Sequence, residues 1–157
     1  MKLQREPYDC GVYAILNGAR ALGVRLTAPQ IRKHTATDEQ GTTEHGILNA
    51  LEKLGFEHEE FRIDSVNSTS EELAFEALFC GFPVILSVEK DRHWVTVIGT
   101  LAMNASDARV LTFDSWPARW NAQENGVESH SKRQLMKWWK PGADGNRYAI
   151  VMRRRKK

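Results

Sequence analysis

The sequence has only two cysteines, Cys10 and Cys80, in 157 residues. Two thiols cannot form the disulfide framework of a small secreted scaffold, and neither lies in a CxxC or has a histidine at zinc-ligand spacing. No structural metal is therefore expected. Long hydrophobic runs are also missing: no stretch approaches the roughly 18 apolar residues of a membrane span, and MKLQREPYDC lacks the apolar core of a signal peptide. These absences predict a cytoplasmic protein with no membrane span. A basic surplus is missing too, once the C-terminal run Arg153 to Lys157 is set apart. That run holds five of 22 basic residues, which leaves 17 against 20 acidic ones. A short terminal charge run is ordinarily a solvated end, so nucleic acid is not an expected partner.

What the chain does have is apolar material, 41% of its residues, enough for the core of one domain over 1–157. Asp9 stands where an N-cap belongs, and Val12, Ile15, Leu16, Ala19 and Leu22 follow at helical spacing, which predicts a helix over 10–22 stopped by Gly23. Thr27-x-x-Gln30 with Pro29 predicts a short second helix, and TTEHGILNALEKLGFE a third, with Ile47, Leu48, Leu51 and Leu54 on one face. A fourth is expected in STSEELAFEALFCGFP, opened by Thr69-x-x-Glu72. Beyond Pro83 the pattern changes to short β-branched and aromatic runs, PVILSVE, HWVTVIGTL, RVLTFDS and RYAIVMRR, with a helical turn or two in SKRQLMKWW. The predicted fold class is α+β, a helical N-terminal half packed on a mostly antiparallel C-terminal sheet.

Cysteine attacks as its thiolate, and an ordinary thiol is mostly protonated at neutral pH. The first turn of a helix favours the anion through its unpaired N–H groups and dipole, and an imidazolium would favour it further. Cys10 has the first of these. Of five histidines, His34 and His58 sit among charged residues, His45 in a first helical turn and His130 in the polar run NGVESHS, all settings of surface histidines. His93 differs, because it enters a strand where a rigid backbone can hold the ring. If strands 93–100 and 109–114 pair antiparallel, the start of the first lies beside the end of the second, and Asp114 comes next to His93. Gln4, on the segment feeding the helix, could join the Cys10 backbone N–H as a donor to an oxyanion. A Gln six residues before a Cys means little alone; with a first-turn Cys, a strand-entry His and a strand-end Asp it makes a constellation. Cys80, at an apolar helix end, is expected to be a packed, unreactive thiol.

With Gln4, DCG at 9–11, the apolar helix behind it, GTTEHGILNALEKLGF, FPVIL, HWVTVIG and the strand ending at Asp114, the chain resembles the bacteriocin-processing (C39-type) peptidases, a compact branch of the papain-like cysteine proteases. The resemblance implies Cys10 as nucleophile, His93 as general base and acid, Asp114 as the residue orienting it and Gln4 as oxyanion donor, with a peptide or protein substrate and no cofactor. One departure is DSW at 114–116, where that branch usually has Asp-Pro and the papain branch often has Asn-Ser-Trp. No transporter segment follows, so a free-standing enzyme is expected. The resemblance also implies cleavage after a small pair such as Gly-Gly, for which Trp94 and Trp116 are the expected walls of a narrow slot. Deamidation, transglutamination, removal of a ubiquitin-like modifier and a non-catalytic binding module remain alternatives on the same fold.

Overall fold

A computed structural model of the chain describes residues 2–64, 81–89, 93–101, 109–116 and 126–155. The expected fourth helix, Cys80 with it, and the AMNASDA loop lie outside these residues. The described helices are α1 (Cys10–Ala21), α2 (Ala28–Thr35), α3 (Glu44–Lys53) and α4 (Lys132–Trp138). The strands are β1 (Phe56–Asp64), β2 (Val84–Val88), β3 (His93–Leu101), β4 (Arg109–Phe113), β5 (Val127–Ser131) and β6 (Asn146–Arg154). They form one sheet in the order β1-β6-β2-β3-β4-β5, antiparallel at every pairing.

The sheet has a core on each face, and strand alternation assigns residues between them. Ile85, Trp94, Tyr148, Ile150 and Met152 pack with α1, α2 and α3. Val84, Leu86, Val88, Val95, Val97, Ala149 and Val151 pack on the other side with Leu135 and Trp139. Burial on both faces explains why β2, Ser87 apart, and the Tyr148–Met152 stretch of β6 are apolar on both sides of the sheet. Helix α1 lies across β3, and all residues from Cys10 to Ala19 are buried, not only the predicted stripe. Even Asn17 is enclosed, and its side chain exchanges hydrogen bonds with the Lys2 backbone, accepting from its N–H and donating to its carbonyl.

The capping signals locate three helix starts. In α2 the Thr27 N–H donates to Gln30 Oε1 at 2.9 Å, in α3 the Gly46 N–H donates to Thr43 Oγ1 at 3.1 Å, and in α4 Ser131 and Gln134 cap one another. Asp9 corrects the expectation for α1. It occupies the N-cap position, yet its side chain caps nothing and pairs instead with Arg32 of α2.

Strands β1 and β5 were not expected. In β1 the apolar face switches along the strand: Phe56 belongs to the helix-side core, whereas Phe61 packs on the opposite one with Ile63. Glu60 is on the helix side with Phe56, where its carboxylate accepts from the Tyr148 hydroxyl at 2.7 Å. The hydrophobic alternation is thereby broken. Strand β5 is the polar run VESHS, placed by its backbone pairing with β4 rather than by an apolar face.

Two glycines mark close approaches. A Cβ on Gly46 would lie 2.2 Å from the Thr35 carbonyl oxygen, so glycine lets α3 meet the end of α2. A Cβ on Gly11 would lie 2.5 Å from Thr42 Cβ, so the residue after Cys10 is where the 38–43 segment packs against α1. Gly46→Ala is expected to lower the melting temperature by roughly 2–10 °C through overpacking of about 1–3 kcal/mol. Gly99→Ala, where a Cβ would meet nothing within 4 Å, is the control and should melt like the parent. Equal melting of all three proteins by calorimetry would show that the α2–α3 contact yields without cost.

Candidate active site

The site lies where α1 begins and where β3 and β4 meet. Strands β3 and β4 pair antiparallel with Thr96 opposite Phe113, so Asp114 leaves β4 at the end where His93 enters β3. The pairing carries a bulge at Ile98, between the Val97 and Gly99 registers, away from this end. His93 Nε2 and Asp114 Oδ1 are 2.7 Å apart, and both residues are 1% exposed. The Trp116 N–H donates to the same Asp114 oxygen at 2.9 Å. The Asp114 N–H donates to the Gly126 carbonyl at 3.1 Å. Gly126 has φ +75°, and a Cβ there would lie 2.7 Å from the Asp114 carbonyl oxygen, so a glycine is required where the chain turns into β5.

With Nε2 taken by Asp114, Nδ1 is the ring nitrogen left for Cys10, the first residue of α1. Burial pulls the His93 pKa down, but the bond and charge of Asp114, with the neighbouring Cys10 sulfur, outweigh it and push the ring up to about 9. The imidazolium is therefore the resting form at neutral pH. Cys10 itself is buried, at 6% exposure. Helix α1 is fixed over β3 by the Thr96 hydroxyl, which donates to the Ala14 carbonyl at 2.9 Å.

Gln4 is brought to the same place from the N-terminal segment. Its N–H donates to the Ser115 carbonyl at 2.8 Å, and its Oε1 accepts from the Ser115 hydroxyl at 2.7 Å. Its Nε2 donates to the carbonyls of Glu6 and Pro7 at 2.9 and 3.1 Å. Both amide protons are thus taken up by the loop that leads into Cys10. Ser115, absent from the expected site, couples Gln4 to the strand end that carries Asp114. Its signal was the middle residue of DSW.

The two tryptophans part company. Trp116 is half-buried with its ring edge-on to His93, centroids 5.4 Å apart at 64°, beside the His93–Asp114 bond. Trp94, expected as a second wall, is placed in the helix-side core instead. Its Nε1 donates to the Thr42 carbonyl at 2.7 Å and its ring meets Tyr148 edge-on, and at 5% exposure it offers a substrate almost no surface. The other histidines stand apart from this group: His58 lies on β1, and His130 on β5 pairs with Glu128 at 2.8 Å. Arg32 was also missed by the sequence reasoning. It pairs with Asp9, whose carboxyl burial holds above its ordinary pKa while Arg32 pulls it back. Among the described residues no three His, Cys, Asp or Glu side chains cluster as metal ligands, and no helix is long and apolar enough to cross a membrane.

Known proteins share this fold. The described fold matches the peptidase domain of Streptococcus ComA, a bifunctional ABC transporter involved in quorum sensing, with TM-score 0.70 and 24% identity over 98% of this chain and 97% of that domain. It also matches a double glycine motif protease from an AMS/PCAT transporter, solved in complex with the leader peptide, with TM-score 0.62 and 14% identity over 98% and 89% of the two chains. In sequence, it is 29% identical over 94 residues to the lactococcin-G-processing and transport ATP-binding protein LagD of Lactococcus lactis subsp. lactis, covering 60% of this chain and 13% of LagD. An uncharacterized protein of Methanothermobacter thermautotrophicus is 27% identical over 90 residues, 56% of this chain and 63% of that protein. The chain thus spans less than two thirds of either relative. The model of the Peptidase C39 family matches residues 1–134, and the chain belongs to that family: it is a cysteine peptidase of papain-like fold.

Proposed function

We propose that Cys10, His93 and Asp114 carry out the hydrolysis, and that the substrate is a peptide cleaved after a double-glycine type site. The observation that supports the triad is the buried His93–Asp114 bond, which uses Nε2 and leaves Nδ1 for the residue at the N-terminus of α1. The double-glycine reading draws on the transporter protease solved with its leader peptide and on the processing role in LagD's name.

In this mechanism the Cys10 thiolate attacks the scissile carbonyl, and the oxyanion is met by the Cys10 N–H and by Gln4. For Gln4 to donate, Nε2 must release the Glu6 or Pro7 carbonyl, a small rotation that Ser115 limits by holding Oε1. His93 gives its proton to the leaving amine, which frees the carbonyl-bearing half as a thioester on Cys10. A water then gives its proton to the now neutral His93 and attacks the thioester, releasing the acid and restoring the thiolate. Asp114 holds the ring through both steps. Gln4→Ala is expected to lower kcat on the order of 10²-fold.

Removing the Asp114 bond and charge leaves burial as the larger influence on His93, so its pKa must fall. The alkaline limb of kcat/KM, expected near pH 9 in the parent, should therefore move to lower pH in Asp114→Ala, with kcat falling more than KM changes. Asp114→Asn should be milder in kcat, because an amide oxygen still accepts the ring N–H. A pH profile unchanged in Asp114→Ala would remove Asp114 from the mechanism.

For the substrate, a fluorogenic peptide ending in Gly-Gly should be cut with higher kcat/KM than the same peptide ending in Ala-Ala or Leu-Arg. A pocket gains or loses about 1–3 kcal/mol per methylene, so roughly 10- to 200-fold discrimination per position is expected. Faster cleavage after Leu-Arg would show an open cleft, with Trp116 alone beside the nucleophile.

A further inference from the structure

Trp94 takes no part in the mechanism above, yet its indole makes a backbone contact close to Cys10. Its Nε1 donates to the Thr42 carbonyl at 2.7 Å, and both residues are buried. The Thr42 side chain in turn lies against Gly11, where an added Cβ would meet Thr42 Cβ at 2.5 Å and Oγ1 at 2.8 Å. Trp94 follows His93 and Gly11 follows Cys10, so one threonine spans the gap between the neighbours of the imidazole and the thiol.

We propose that Trp94 and Thr42 are positioning residues, a strut between β3 and the first turn of α1 that sets how far Cys10 stands from His93. The inference rests on the proposed pairing of Cys10 with His93 but concerns residues outside the triad. Other contacts do not replace the strut. The Thr96–Ala14 bond holds α1 to β3 one turn further along, beyond the end that carries the thiol. Thr42 is also braced towards α2, since its hydroxyl lies 2.6 Å from that of Thr37, which lies 2.7 Å from that of Thr35. That brace makes no reference to the strand carrying His93; the indole bond does. Without the indole, the buried Thr42 carbonyl loses its donor and the wall against Gly11 is free to shift.

An ion pair about 4 Å apart loses roughly fourfold in its equilibrium weight when drawn apart by about 1 Å at an effective dielectric constant of about 20. A slack strut therefore disfavours the thiolate. The charges around Cys10 are the His93 ring from β3, with Asp114 behind it, and Asp9 just ahead of it, which is paired with Arg32 of α2. The substitutions below alter none of them.

Iodoacetamide labelling of Cys10, followed by peptide mass spectrometry across pH, reads the pairing without a substrate. The pH of half-maximal labelling reports the thiolate, and the plateau at high pH reports access. Melting temperatures are measured alongside. Trp94→Phe, which keeps an aromatic ring in the core without the N–H, should label about three- to tenfold more slowly on the acid limb, with its half-maximal rate moved to higher pH. Thr42→Ala, which removes the branches that lie against Gly11, should do the same, and it carries the test should the Trp94 variant not fold. Thr42→Val keeps the branched shape but not the hydroxyl, so it should melt lower than the parent while keeping the parent's labelling profile. Parent-like profiles in Trp94→Phe and Thr42→Ala, whatever their melting temperatures, would overturn the proposal by leaving both residues a structural role alone. An equal displacement in Thr42→Val and Thr42→Ala would overturn it too. Absence of selective Cys10 labelling in the parent protein would instead remove the nucleophile assignment on which the proposal rests, so the two failures are distinguishable.

Discussion

A histidine that enters a strand and an aspartate that leaves the next one can meet only if the two strands run antiparallel and end together. The His93–Asp114 bond is that meeting, and much of the described molecule serves it. The sheet is buried on both faces at β2, β3 and β6, which keeps the His93 backbone rigid. Helix α1 crosses β3 on one face and brings Cys10 to the ring nitrogen that Asp114 leaves open. Helix α4 and its neighbours close the other face. A buried imidazole would ordinarily be neutral, and it is the pair of partners, carboxylate on one nitrogen and thiol at the other, that keeps it charged.

A second connection runs through the N-terminal segment. Gln4 bonds Ser115 with both backbone and side chain, while its amide holds the Glu6 and Pro7 carbonyls just ahead of α1. The helix that carries Cys10 and the strand end that carries Asp114 are therefore joined twice, once through the sheet and once through a glutamine. DSW serves this join with each of its residues: Asp114 takes the histidine, Ser115 the glutamine, and Trp116 lies beside the ring and donates its N–H to the aspartate. The Asp-Pro usual among similar peptidases has no hydroxyl to offer at the second place.

Much of this was legible from the residues. Helical spacing and capping pairs located α1, α2, α3 and α4, because apolar stripes and Thr or Ser caps are local signals. Strand direction and loop length were enough to expect Asp114 near His93. Other features depended on distant partners. Strand β1 escaped notice because its apolar face switches between Phe56 and Phe61, and β5 because its register comes from β4 and not from an apolar face of its own. Asp9 looked like a helix cap since the sequence gives no hint that Arg32, 23 residues on, would claim it. Trp94 looked like a wall of the site because it follows His93, but its ring is enclosed in the helix-side core, where its Nε1 donates to the Thr42 carbonyl.

A polar edge strand such as β5 has little in its own side chains to fix how it is aligned with its neighbour, since a slip of one residue would bury nothing wrong. Gly126 supplies what the pattern lacks. The backbone passes so close to the Asp114 carbonyl that no side chain fits there, and the φ of +75° favours glycine. Sliding β5 by one position in the direction that brings Val127 to this spot would drive a β-branched side chain into the peptide group of Asp114. The glycine thus acts as a register pin, and the alignment of an otherwise indifferent strand is tied to the same peptide that carries the carboxylate.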